Sequence, residues 1–145
     1  MSSNQKPSSS KRAFVLIERI RPFSVAEYHR LGEVGILRED ERVELIDGII
    51  TKMNPIGSKH AACVDKLNRL FSRALSPEEA TVRVQNPIIL DDGTEPEPDL
   101  ALLKPREDAY ANAHPRPADV LLVVEVADTT VEEDRTVKLP RYAAA

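Results

Sequence analysis

At 145 residues, with 41% apolar and 30% charged side chains, the chain has the composition of an ordinary folded domain and is long enough to bury about two thirds of its unfolded surface. No apolar run approaches the roughly 18 residues a membrane-spanning helix needs, and the N-terminus is polar rather than signal-like, so a cytoplasmic protein without membrane contact is expected. The single cysteine, Cys63, excludes an intramolecular disulfide and a cysteine-cluster zinc site, and the net charge of −4, or −7 without the three bases of residues 1–12, counts against a strongly basic nucleic-acid-binding surface.

Residues 1–12 are serine-rich, basic and aperiodic, and read as a disordered tail. Phe14 to Ile20 suit a short edge strand. Ser24 is placed to cap a helix through Leu31, with Glu27 completing a capping box and Gly32 ending it. Residues 42–53 read as a hairpin, with Val43, Leu45, Ile49 and Ile50 as strand formers around an Asp47-Gly48 turn. Glu44 lies in its first arm, where residue type alone suggests a solvent-facing acid.

Residues 58–75 carry the strongest helical pattern, with Ser58 as cap and apolar positions at Ala62, Leu67, Leu70, Phe71, Ala74 and Leu75. His60 falls in the first turn, ordinarily a capping or surface position. Cys63, between Ala62 and Val64, reads as a small core residue. Residues 81–90 form a strand that reverses at Asp91-Asp92-Gly93, which carries either Gln85 or Asn86 close to Asp99. The proline-interrupted residues 104–119 are a loop with one helical turn around 107–113 and a solvated His114.

The centre of the pattern is Val120 to Val126, an apolar run expected to be a strand covered on both faces, with Glu125 set in it. A carboxylate there costs several kcal/mol unless it is protonated, paired or bound to a metal. Residues 97–103 offer a second strand that opens on Asp99. If the two strands pair antiparallel with Leu103 opposite Leu121, Asp99 faces Glu125 across the pair with Cβ atoms about 5 Å apart. Two acids that close repel, and a divalent cation preferring hard oxygen ligands keeps both ionised. Residues 130–145 then read as a helix, capped by Thr129 or Thr130 with Glu132 or Glu133, that presents Asp134, Lys138 and Tyr142 on one face. Pro140 inside that helix costs about 3 kcal/mol unless the helix kinks.

Pro98-Asp99, Glu125-Val126-Ala127 and Asp134-Arg135-Thr136-Val137-Lys138 followed by Tyr142-Ala143 together resemble the PD-(D/E)XK nuclease superfamily. More narrowly, they are similar to the widespread bacterial restriction-endonuclease family whose lysine has moved from the strand to the next helix. Ala127, where the superfamily pattern has lysine, departs from the superfamily as that narrower family does. Residues 43–48, His60 and residues 83–87 extend the likeness over roughly 23–145.

The resemblance implies an α/β fold, a three-layer sandwich around a central mixed sheet, in a single domain over residues 13–145 that stops before its final strand. It implies metal-assisted phosphodiester hydrolysis. Asp99, Glu125 and the Val126 carbonyl hold Mg²⁺ or Mn²⁺, with Glu44 alongside as a metal ligand, and Lys138 orients water or offsets transition-state charge. Gln85 is preferred to Asn86 as the amide at the site, and His60 contacts the site or its substrate. The substrate implied is nucleic acid, DNA first, and a homodimer is compatible. Two rival readings stand beside this one: a non-catalytic interaction domain that kept the fold, and a carboxylate pair serving only a structural salt bridge with Lys138 or Arg135.

Overall fold

The computed structural model describes residues 19–127 and 134–145. The tail expected at 1–12, nearly all of the strand expected at 14–20, the caps at Thr129 and Thr130 and the side chain of Asp134 lie outside the described residues.

The first described helix, α1 (Val25–Glu33), begins as its sequence dictates: Ser24 Oγ accepts the Glu27 N–H at 3.2 Å, and Glu27 Oε2 accepts the Ser24 N–H at 3.0 Å. It passes through Gly32, and the reversal falls instead at Gly35, whose φ of 76° suits a residue without a Cβ. The hairpin β1 (Val43–Ile46) and β2 (Ile49–Lys52) pairs Leu45 with Ile50 and Ile46 with Ile49. Asp47 and Gly48 turn it, both at positive φ (50° and 75°), as a two-residue turn matched to strand twist requires.

Helix α2 (Ser58–Ala74) starts one residue earlier than a Ser58 cap would place it, with Gly57 as N-cap. Its inward stripe is Val64, Leu67 and Phe71, followed just past its end by Leu75. Cys63 lies off that stripe and is exposed, which corrects its assignment to the core: a helix turns about 100° per residue, so a neighbour of a core position faces away.

Strands β3 (Thr81–Val84), β4 (Leu100–Leu103) and β5 (Val120–Val124) form an antiparallel sheet in the order β3-β4-β5. The strand expected over 81–90 ends at Val84 because Gln85 takes φ 50° and Pro87 follows without an N–H. All four β4 residues are buried. Leu100 and Leu102 pack with Ala80 under α2, while Ala101 and Leu103 pack with Ile88 and Tyr110 on the opposite face. The alternation of β4 thus binds a helix to one face and the 104–119 connection to the other. A third cluster, Val25, Leu45 and Ile89, joins α1 to the hairpin. His114 is half-buried within the connection rather than solvated, as Pro115 beside it is fully buried.

The β4–β5 register runs Leu100↔Val124, Ala101↔Val123 and Leu102↔Leu122, then slips so that Leu103 meets Val120. Leu121 is the extra residue of that bulge, not the partner of Leu103. With β5 at the edge of the described sheet, Leu121 and Leu122 are both exposed, at 51% and 40%, so β5 is not covered on both faces. The molecule is a mixed α/β fold with its strands in two small antiparallel sheets. One bridge, Leu45↔Glu95, links the hairpin to the chain entering β4. No helix among the described residues is long and apolar enough to cross a membrane.

The turn at Gly48 is tested by substitution. A Cβ there would lie 2.3 Å from Pro22 Cβ, on a backbone already at positive φ, so Gly48→Ala is expected to lower unfolding free energy by at least about 2 kcal/mol. Gly32→Ala, with open space around it, should be neutral or stabilising by up to about 1 kcal/mol in the same denaturant titration.

Candidate metal centre

The site is built where β4 begins. Pro96 and Pro98, both fully buried, have no N–H to give a ladder and hold Glu95 and Glu97 extended, so regular pairing waits until Leu100. Asp99, the residue before it, is 8% exposed. Its N–H donates to Glu125 Oε2 at 3.4 Å, and its Oδ2 accepts the Val126 N–H at 2.8 Å. The β4–β5 register, continued one step, sets Asp99 opposite Glu125, and these two bonds fasten the acids to each other's strands. Val126, whose carbonyl the resemblance gives to a metal, contributes its N–H to Asp99.

Three further residues converge on this point. Gln85 donates its N–H to the Asp99 carbonyl at 3.2 Å and its side-chain amide to Asp99 Oδ1 at 3.4 Å. Its left-handed backbone, a strain on the order of 1–3 kcal/mol, is what turns it there. Asn86 turns instead to the Val84 carbonyl and Arg83. From the first turn of α2, His60 brings Nε2 to 2.8 Å from Asp99 Oδ1. It lies off the direction a hydrogen bond needs, so that buried nitrogen has no hydrogen-bond partner among the described residues. Glu44, on β1, is 5% exposed and accepts the Glu97 N–H at 3.3 Å. It is a buried acid, not the solvent-facing one its residue type suggests.

The cation comes from the C-terminal segment. A π turn (Asp134–Lys138) leads into the short helix α3 (Leu139–Ala144). Pro140 therefore falls in the first turn of a new helix, where its missing N–H costs nothing, and this is the physical reason the segment tolerates it. Lys138 Nζ lies 3.0 Å from Glu44 Oε2 and 3.5 Å from Glu125 Oε1, and its side chain is 11% exposed. Tyr142 donates its hydroxyl to Glu125 Oε1 at 2.8 Å. Arg141 grips the carboxylate of Asp47 in the hairpin turn, with Nε 2.9 Å from Oδ1, and so docks α3 onto the β1–β2 turn.

The surroundings favour positive charge. Burial pushes the Glu97 carboxyl up, with Glu44 and Glu95 adding to the effect and Arg42 opposing it. Tyr28 is pushed up to about 12, first by burial and then by Glu95, Glu97 and Glu44. A hard divalent ion fits this donor set. Asp99, Glu125 and Glu44 offer carboxylate oxygens in an acid-rich field, one cation already lies between two of them, and an imidazole nitrogen stands unbonded beside the third.

Glu44, Gln85, Asp99, Glu125, Lys138 and His60 thus lie in one linked cluster. Arg141 with Asp47 is an addition that no motif signalled. Tyr142 stood in the motif four residues after Lys138, and that spacing was the available clue to its place beside Glu125.

Two outcomes follow. Removing the ammonium leaves Glu44 buried beside Glu125, so Lys138→Met is expected to lose about 3–5 kcal/mol in metal-free unfolding. The Arg141 guanidinium holds the Asp47 carboxyl below its usual value of 3.8. A depressed carboxyl contributes stability that is present above its ordinary value and lost as pH falls through the lower folded one. Between about pH 5 and pH 2 the parent should therefore lose more melting temperature than Arg141→Ala, by thermal unfolding across that range.

The family model Uma2, described as a putative restriction endonuclease, matches residues 25–145. No curated protein gives a significant match.

Proposed function

The chain belongs to the Uma2 family, and from that premise we propose that it is a metal-dependent endonuclease that hydrolyses phosphodiester bonds in nucleic acid, DNA first, in the cytoplasm. The observation that carries this reading is the linkage of three acids from separate segments: Glu44 and Glu125 flank the nearly buried Lys138, and Asp99 is fastened to Glu125 through its own N–H. Burying so much like charge is costly for stability alone, and such clusters are characteristic of sites with a chemical task.

In this reading Asp99, Glu125 and the Val126 carbonyl hold Mg²⁺ or Mn²⁺, with Glu44 completing the set. The bound ion supplies Lewis acidity and a nucleophilic water at neutral pH. Lys138 fixes a positive charge beside the carboxylates, where charge growing on the scissile phosphate can be offset. It cannot serve as a metal ligand while protonated, since the ammonium has no lone pair. Gln85 presents an amide for orienting water, and His60, with Nε2 2.8 Å from Asp99 Oδ1, contacts the site or its substrate. Tyr142 keeps the Glu125 carboxylate oriented from the helix that carries Lys138. The described residues lend no support to a homodimer.

A second reading has its own observation. Lys138 lies within ion-pair distance of both Glu44 and Glu125, as it would if the acids were balanced internally in a non-catalytic interaction domain.

Single-turnover cleavage of DNA at saturating Mg²⁺ separates the two. The endonuclease should lose activity with chelator and in Asp99→Asn. Lys138→Met should slow it by about 10²–10³, the scale of one preorganised charge in the transition state. A folded parent that cleaves neither with Mg²⁺ nor with Mn²⁺, or a Lys138→Met rate within about threefold of the parent, supports the interaction domain.

A further inference from the structure

Away from the carboxylate cluster, a second group of ligating side chains comes together from three unrelated segments. His29 on α1 places Nε2 2.7 Å from Glu95 Oε2. The His114 ring packs edge-on against the His29 ring, with centroids 5.8 Å apart and planes at 65°. One ligating atom from each of the three lies within 4.8 Å of the others. Ligands at zinc bond lengths in a tetrahedron stand about 3.3 Å apart, so closing this set around an ion needs a movement of about 1.5 Å at most. The His29 side chain, 39% exposed, has the freedom to make such a shift by rotamer adjustment.

The other two are well anchored. Glu95 is 3% exposed, and its backbone exchanges two hydrogen bonds with Leu45, at 2.7 and 3.3 Å. His114 precedes the fully buried Pro115, whose carbonyl accepts the Ile89 N–H at 3.0 Å. We propose that His29, Glu95 and His114 form a second metal site, separate from the carboxylate centre, that takes Zn²⁺ or a similar transition-metal ion with its fourth position open to solvent. Two imidazoles and one carboxylate match the preference of zinc, whereas Mg²⁺ favours all-oxygen sets such as Glu44, Asp99 and Glu125. An ion held there ties α1 and the 104–119 connection to the edge of β1. The ordinary alternative is that the His29–Glu95 ion pair by itself satisfies the buried acid.

Zn²⁺ titration of the full chain by calorimetry, with Glu125→Gln introduced to weaken the carboxylate centre, decides between them. One Zn²⁺ per chain at micromolar affinity or tighter is expected. His29→Ala and His114→Ala should each weaken it by at least about tenfold, the loss that even an outer-shell partner can cause, while His60→Ala leaves it within about twofold. Absence of stoichiometric binding, or binding indifferent to both histidines, would overturn the proposal. Should either histidine variant fail to fold, Co²⁺ added to the Glu125→Gln protein gives an independent answer. Intense visible absorption from a four- or five-coordinate ion supports the site, and only the weak bands of octahedral Co²⁺ contradict it.

Discussion

Glu44 and Asp99 are 5% and 8% exposed, and the cost of taking their charge out of water is the constraint that the site region answers. A buried carboxylate must be met by N–H donors and cations. Each acid here is met from another segment: Glu44 by the Glu97 N–H, Asp99 by the Val126 N–H, and Glu125 by the Asp99 N–H and the Tyr142 hydroxyl. Lys138 then spans Glu44 and Glu125. The acids therefore hold the hairpin, the start of β4, the end of β5 and the C-terminal segment in register with one another, and the same contacts concentrate the negative field that suits a divalent ion.

The fold makes this possible through the position of β4. Its four residues are buried on both faces, with α2 on one side and the 104–119 connection on the other. A rigid central strand fixes where Asp99 emerges, and two buried prolines keep the preceding chain out of the ladder so that its carboxylates and N–H groups are free to form the site. The C-terminal segment is delivered by a different device. The π turn ends at Lys138, α3 follows from Leu139 with Pro140 in its first turn, and Arg141 locks that helix to Asp47. Lysine placement thus depends on a turn of the hairpin that also carries Glu44, which couples the cation to one of the acids it neutralises.

The pairing of Asp99 with Glu125 was legible in the chain because local rules and strand register act over short distances, whereas the site roles of Glu44, Gln85, His60 and Lys138 were signalled only by the family resemblance. An acid in an apolar run demands a partner, and the antiparallel register that carries Asp99 opposite Glu125 follows from the lengths of the two strands. It survives the bulge at Leu121 because the slip falls at the far end of the pair. The Ser24 and Glu27 capping box and the Asp47-Gly48 turn are similarly local. The exposure of Cys63 and of one face of β5 is not legible in the chain, because apolar neighbours in sequence do not reveal which side of a helix or strand the rest of the fold covers. His29, Glu95 and His114 left no signal at all. They share neither an element nor a spacing, and only packing of the connection against α1 brings their rings together.

The central claim is that Glu44, Asp99 and Glu125 are a cation site rather than an internally balanced ion cluster, and calorimetric titration with Mn²⁺ addresses it most directly. One ion bound by the parent, with affinity retained or improved in Lys138→Met and weakened at least about tenfold in a folded Glu125→Gln, is the expected result, since the parent's Lys138 ammonium competes with the metal for the same carboxylate charge and the methionine does not. No Mn²⁺ binding by the folded parent, or binding that Glu125→Gln leaves unchanged, would contradict it.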